Sequence, residues 1–151
     1  MKSVYLDSNI YIFGILVPKS NSGIVLDNLP REDLHIVQSD YLIDEVLHWF
    51  RRNRGKNETG KAHVMLSSVP NRTVISRHEW ELSVGKWREK ITEPDDVPHI
   101  CSYFVGDCEA FITTNRKLTQ MAISEYVNFY SPYDFVKQFL NLKPSTLSLE
   151  I

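Results

Sequence analysis

The sequence predicts an α/β protein, a three-layer α/β/α sandwich around a central, mostly parallel sheet of four or five strands. Three observations carry that prediction. Short runs rich in β-branched and aromatic residues alternate with longer runs of helical periodicity, the pattern of βα units. Two of the short runs end in small polar corners, Asp7-Ser8-Asn9 and Thr114-Asn115-Arg116, as strands do at the carboxyl edge of an open α/β sheet. The chain has 151 residues, 42% hydrophobic and 24% charged, enough to bury one core without disulfide staples.

Lys2 to Leu6 reads as the first strand, with Val4 and Leu6 apolar. A helix follows from Asn9 and breaks near Pro18. Ser22 to Leu29 is a second helix with Ser22 as its N-cap, stopped by Pro30. His35 to Gln38 is the second strand, and Ser39 or Asp40 caps the helix YLIDEVLHWFRRN. Glu58 to Ser68 is helical, Thr73 to Ile75 is a strand or an extended link, and Glu79 to Ile91 is a helix weakened at Gly85. Glu93-Pro94-Asp95-Asp96 caps the helix VPHICSYFV, where Pro98 is tolerated in the first turn. Phe111 to Thr114 is a strand, Lys117 to Glu125 a helix, Val127 to Tyr130 a last strand and Pro132 to Leu140 a last helix. One domain is expected over residues 1–142, with 143–151 as a tail that has little to hold it.

The formal net charge of −2 excludes chain-wide attraction to nucleic acid, so any such contact must come from a local patch. Cys101 and Cys108 make neither a disulfide framework nor a zinc pattern and read as core or near-core residues. The run IYIFGILV at 10–17 is too short to span a bilayer; Asp7-Ser8-Asn9 precede it and no Ala-x-Ala site follows, so it is not a signal-peptide core. A soluble cytoplasmic protein without membrane contact is expected.

Four positions form a constellation. In a parallel sheet, Asp7 and Asn115 face each other across the carboxyl edge. On a helical wheel Glu45 lies beside Trp49, at the rim of the stripe Leu42, Val46, Phe50, while Asp44 points to solvent. Asp96 lies one turn from Ile100, on the side shared with Tyr103. Carboxylates at the margin of a core face demand a counter-charge. Oxygen ligands of this kind suit Mg²⁺ or Mn²⁺, ions that promote phosphate-ester hydrolysis. No Ser–His pairing, Gly-rich phosphate loop or zinc motif competes. Taken singly, each residue has a plainer reading. Asp7, Asp95 and Asp96 suit helix caps, Glu45 a solvated helix position, and Thr113 and Asn115 a turn.

Read together, VYLDSNIYI at 4–12, SDYLIDEVLHWF at 39–50, PDDVPHICSYFVGDCEAFITTNRKL at 94–118 and VNFYSPYDFVKQF at 127–139 resemble the PIN domain. The likeness is to the small single-domain form of prokaryotic VapC-type toxin ribonucleases. Order and spacing carry the resemblance more than any one motif. It implies a PIN-like fold and a Mg²⁺- or Mn²⁺-dependent endoribonuclease. It also implies a homodimer, and a small antitoxin as partner. Asp7, in a turn supported by Ser8 and Asn9, matches the family's first acid. Glu45 matches the second. Asp96 matches the third, with Asp95 as the alternative. Asn115, two residues after Thr113, stands at the fourth position, which is Asp in many members and Asn in others. Asp7, Glu45 and Asp96 would hold the metal. Thr113 would bond a neighbouring acid or a water there. The amide at 115 lowers the site's charge by one and cannot act as a base.

For the substrate, Arg51, Arg52 and Arg54 follow the Glu45 helix, and Arg116 sits at the corner itself. Cations bind phosphates, and the interleaved Trp80 and Trp87 could stack on unpaired bases. The histidines His35, His48, His63, His78 and His99 do not cluster and read as structural or exposed. The rival within the same fold is a catalytically weak or inactive RNA- or protein-binding module, which Asn115 favours. A receiver-like phosphoacceptor lacks an acidic pair at its first strand, and a haloacid-dehalogenase-type site lacks the second Asp, since Asn9 stands there.

Overall fold

The computed structural model describes residues 1–147. Five parallel strands run in the order β3-β2-β1-β4-β5. They are β1 (Lys2–Leu6), β2 (Leu34–Ser39), β3 (Arg72–Ile75), β4 (Ala110–Ile112) and β5 (Phe129–Tyr130). Strand order reverses at β1, which pairs with β2 on one side and β4 on the other. A crevice therefore opens at the carboxyl ends of β1 and β4, the position where open α/β sheets bind ligands.

β1 is central because its residues are apolar on both faces; Val4, Tyr5 and Leu6 are fully buried. On one face Tyr5, Val37, Phe111 and Phe129 lie in register across the sheet. α7 (Val97–Val105) covers that row, with Tyr103 edge-on to Phe111 and His99 edge-on to Tyr5. Gly106 ends α7 against Val37, where a Cβ would come within 2.6 Å of Cγ1. On the other face lie α1 (Ser8–Leu16), α2 (Asn21–Asp27), α4 (Lys56–Ser67) and the carboxyl-terminal turn. Gln38 there donates to Leu66 O at 3.1 Å, and Tyr130 packs on Phe135 and Phe139. α3 (Asp40–Asn53) contacts α1, α4 and α7, and so joins the two helical layers.

Several boundaries differ from the sequence reading. Ser20, not Ser22, caps α2, accepting from Gly23 N at 3.1 Å. Gly23 sits against the Pro18 backbone, so the helix begins on the turn itself. α4 starts at Lys56 rather than Glu58 because Gly55, at φ 88°, turns the chain. The helix expected over Glu79–Ile91 breaks into α5 (Arg77–Trp80), α6 (Val84–Trp87) and the 3₁₀ turns Glu81–Ser83 and Arg88–Lys90. Ser83 and Gly85 lie at its centre, and the two tryptophans anchor its parts separately. Trp80 donates to Asp40 Oδ1 at 2.9 Å, and Trp87 stacks on Phe104 at 4.1 Å. Beyond β4 comes α8 (Arg116–Thr119), and 3₁₀ turns over Pro94–Asp96 and Ala122–Glu125 complete the connections. The last helix begins as α9 (Pro132–Asp134) and continues as a π-helical turn, Phe135–Phe139, whose two end rings stack at 4.6 Å. Ser145 is tied to Asn21 in α2 by hydrogen bonds of 2.7 and 3.3 Å. No helix among the described residues is long and apolar enough to cross a membrane.

Candidate metal centre

Asp7 ends β1 and caps α1, so its carboxylate stands in the crevice at the strand-order reversal. It is 4% exposed. Oδ1 accepts from Ser8 N at 2.8 Å, and Oδ2 accepts from Thr113 Oγ1 at 2.7 Å. Thr113 thus spans from the end of β4 to the end of β1. β4 stops at Ile112, two residues short of the sequence expectation, because the Thr113 hydroxyl is engaged with Asp7 and with Asn115 N at 3.0 Å. Asn9 ties the same two strand ends, reaching Asp7 Oδ2 and accepting from Thr114 N, each at 3.4 Å.

Glu45 enters from α3, half-buried at the rim of the stripe Leu42, Val46, Phe50. Its Oε1 is 2.9 Å from His99 Nε2, and that same nitrogen is 3.8 Å from Asp7 Oδ1. The other ring nitrogen, Nδ1, is 2.7 Å from the Tyr5 hydroxyl, which is 2.9 Å from Ser39 Oγ. His99 is 2% exposed, and donor atoms of Asp7, Glu45 and His99 all lie within 4.8 Å of one another. The sequence reading left His99 outside the site, and the structure places it at the centre. The signal was there: His99 follows Asp96 by three positions at the start of α7, which puts both on one helix face.

Asp96 makes no capping bond, and its Oδ2 is buried without a hydrogen-bond partner. Burial first, then the charges of Asp7, Glu45 and Glu93, push its pKa up to about 6 against the pull of His99. Burial works against a charged His99. The hydrogen bond to Glu45 and the charges of Asp7, Glu45 and Asp96 outweigh it and leave the imidazole raised. For Glu45, burial is outweighed by His99 and by a Ser8 hydrogen bond, and its carboxyl is lowered. The three directions describe an excess of negative charge around one buried imidazole.

Other expected residues stand further out. Asp95 is exposed and accepts from Tyr41 OH at 3.1 Å, not from the buried cluster. The Asn115 side chain is the N-cap of α8, accepting from Leu118 N at 3.4 Å. The Asn115 backbone N–H, not its side chain, donates to Thr113 Oγ1, which in turn bonds Asp7. With Arg116, Asn115 lines a cleft of about 260 Å³ beside β5. A second cleft, about 480 Å³, runs along α3 past Tyr41, Glu45, His48 and Arg51. Arg52 and Arg54 are exposed beyond it, Arg54 lying over the Trp49 ring at 6.0 Å.

No protein-family model and no curated protein matches the chain. Solved structures do. VapBC2 from Rickettsia felis, bound to a DNA fragment from its promoter, matches with a TM-score of 0.67 at 13% identity, over 85% of this chain and 98% of that one. VapBC-1 from nontypeable Haemophilus influenzae matches at 0.64 and 19% identity, over 86% and 98%. VapC20 from Mycobacterium tuberculosis, a sarcin–ricin loop cleaving toxin, matches at 0.56 and 13% identity, over 72% and 86%.

The chain has the PIN-domain fold of the VapC toxins.

In the PIN fold the crevice between β1 and β4 is where this chain collects its acids. PIN-domain nucleases generally use divalent metals, and the donor set fits one. Asp7 and Glu45 offer carboxylate oxygens beside the His99 ring, and Asp96 adds a buried oxygen without a hydrogen-bond partner.

Proposed function

We propose that this protein is a divalent-metal-dependent endoribonuclease that hydrolyses RNA phosphodiester bonds, and that it is the toxin of a toxin–antitoxin pair. The observation that carries the reading is the unpartnered, buried Asp96 Oδ2 beside Asp7 and Glu45 at the strand-order reversal. Asp7, Glu45 and Asp96 would hold Mg²⁺ or Mn²⁺. Such an ion, when bound, polarises a phosphoryl oxygen and makes water a better nucleophile. Thr113, Ser8 and Asn9 fix the Asp7 carboxylate so that both of its oxygens keep one orientation. Arg116, at the corner cleft, and Arg51, at the α3 cleft, take phosphates on either side, with Arg52 and Arg54 extending the basic end of α3.

Three further points belong to this reading. The apolar residues Ile12, Ile15 and Leu16 on α1 are only partly covered by the chain's own core, which supports a homodimer. The toxin–antitoxin complexes among the fold neighbours support a small antitoxin as partner. Residues 1–142 are one domain with 143–151 as its tail, of which 148–151 lie outside the described residues, and the protein works in the cytoplasm.

Asn115 supports the alternative, a catalytically weak PIN-fold binder, because its side chain is engaged as a helix cap. Incubation of mixed single-stranded RNAs with Mg²⁺, Mn²⁺ or EDTA, for the wild type and Asp7→Asn, separates the two. Metal-dependent cleavage lost in Asp7→Asn supports the nuclease. RNA binding by both proteins without cleavage supports the binder.

A further inference from the structure

The donor set at the centre is not all oxygen. His99 Nε2 lies 2.9 Å from Glu45 Oε1 and 3.8 Å from Asp7 Oδ1. Ligands held about 2.1 Å from a divalent ion stand about 3 Å apart when adjacent and about 4.2 Å apart when opposite. The 2.9 Å spacing is that of an adjacent pair and the 3.8 Å spacing falls between the two limits, so all three atoms are within reach of one ion.

The ring is also held as a ligand ring would be. Metal-binding histidines use their second nitrogen to donate to a fixed acceptor, which sets tautomer and orientation. Here Nδ1 faces the Tyr5 hydroxyl at 2.7 Å, and Tyr5 faces Ser39 Oγ at 2.9 Å. Ser39 Oγ already accepts from Leu42 N at 2.9 Å. With Tyr5 donating to the remaining lone pair of Ser39 Oγ, the Tyr5 oxygen accepts from Nδ1–H and the Nε2 lone pair is turned to the acids. Tyr5 is fully buried, and burial holds it as the neutral phenol. Tyr41 packs edge-on to the ring from the other side at 5.4 Å.

We propose that His99 Nε2 is a ligand alongside Asp7 and Glu45, and that it biases the site toward first-row transition ions over Mg²⁺. Imidazole suits the softer first-row ions, whereas Mg²⁺ is matched to carboxylate, carbonyl and water, and affinities rise from Mn²⁺ to Co²⁺ at a nitrogen-containing site. Tyr5 is a positioning residue: it acts through His99. The inference rests on the metal-dependent reading above.

The test is isothermal titration of the metal-stripped full-length protein with Co²⁺ and, separately, Mg²⁺, for the wild type, His99→Gln and Tyr5→Phe. Thermal melting checks that each variant is folded. The wild type binds Co²⁺ more tightly than Mg²⁺. His99→Gln loses about tenfold or more in Co²⁺ affinity and alters the visible absorption of the Co²⁺ form, while Mg²⁺ affinity moves by less than about threefold. Tyr5→Phe keeps the ring and loses only the acceptor for Nδ1–H, so it weakens Co²⁺ selectively as well. An unchanged Co²⁺-to-Mg²⁺ ratio in both variants overturns the role of His99 and leaves the carboxylate site standing. A wild type that binds neither ion overturns the metal-dependent reading along with it.

Discussion

Replacing Asp96 by Asn should stabilise the metal-free protein. The buried Oδ2 of Asp96 has no partner, and its carboxyl is raised from 3.8 to about 6. A raised carboxyl is ionised at a cost in the folded state. That cost is fully present above about pH 6, shrinks as pH falls through that value, and is gone below 3.8. The shift converts to at most about 3 kcal/mol at neutral pH. Asp96 is partly exposed, and screening brings this to roughly 1–2 kcal/mol. For a chain of this size that is a rise in Tm of about 2–8 °C. Urea denaturation in EDTA, at pH 7.5 and pH 5.0, measures it. Asp96→Asn is the more stable protein at the higher pH, and its advantage narrows by about half at the lower one. Added Mn²⁺ then reverses the order, since an ion that binds the native state stabilises the wild type more than a variant lacking one ligand. A variant no more stable than the wild type at pH 7.5 in EDTA would refute the reasoning that Asp96 is ionised at a net cost in the folded state.

Thr113→Val removes the donor to Asp7 Oδ2 and the acceptor for Asn115 N. It should cost about 1–3 kcal/mol in denaturant unfolding and weaken divalent-ion binding. Gly23→Ala places a Cβ 2.1 Å from Pro18 O, a backbone atom that cannot swing aside. The α1–α2 packing must open, and stability should fall by roughly 2 kcal/mol or more, read as a lower urea midpoint. Arg116→Ala should weaken RNA binding at low salt in a filter-binding or anisotropy assay, because Arg116 lines the cleft next to Thr113 and Asn115. An unchanged affinity would remove Arg116 from the substrate path.

Much of the architecture is written in local pattern. Val4, Tyr5 and Leu6 are apolar at successive positions, which marks a strand buried on both faces. The stripe Leu42, Val46, Phe50 sets the buried side of α3 and leaves Glu45 at its rim. These are properties of neighbours along the chain, so period and composition reveal them. The failures are not local in origin. The Glu79–Ile91 stretch has helical periodicity, but its two tryptophans bind partners in different elements, Asp40 and Phe104. Tertiary anchors overrode propensity there.

The sequence by itself determined the class of fold, the polar corners that end β1 and β4, and the candidate acids at 7, 45 and the pair 95–96. Tertiary structure alone decided how those groups meet. Asp7 and Thr113 are separated by 106 positions yet share a 2.7 Å hydrogen bond, because β1 and β4 are neighbours only through the reversal of strand order. Asp95 and Asp96 are indistinguishable as adjacent letters, but the turn into α7 leaves one exposed beside Tyr41 and buries an oxygen of the other near the acids. His99 reads as an ordinary residue of an apolar helix until α7 is laid across Tyr5 and beside Glu45. The physical reason is common to all three: charge, burial and hydrogen bonding depend on distances through space, and packing of the layers sets those distances after the local pattern has chosen the elements.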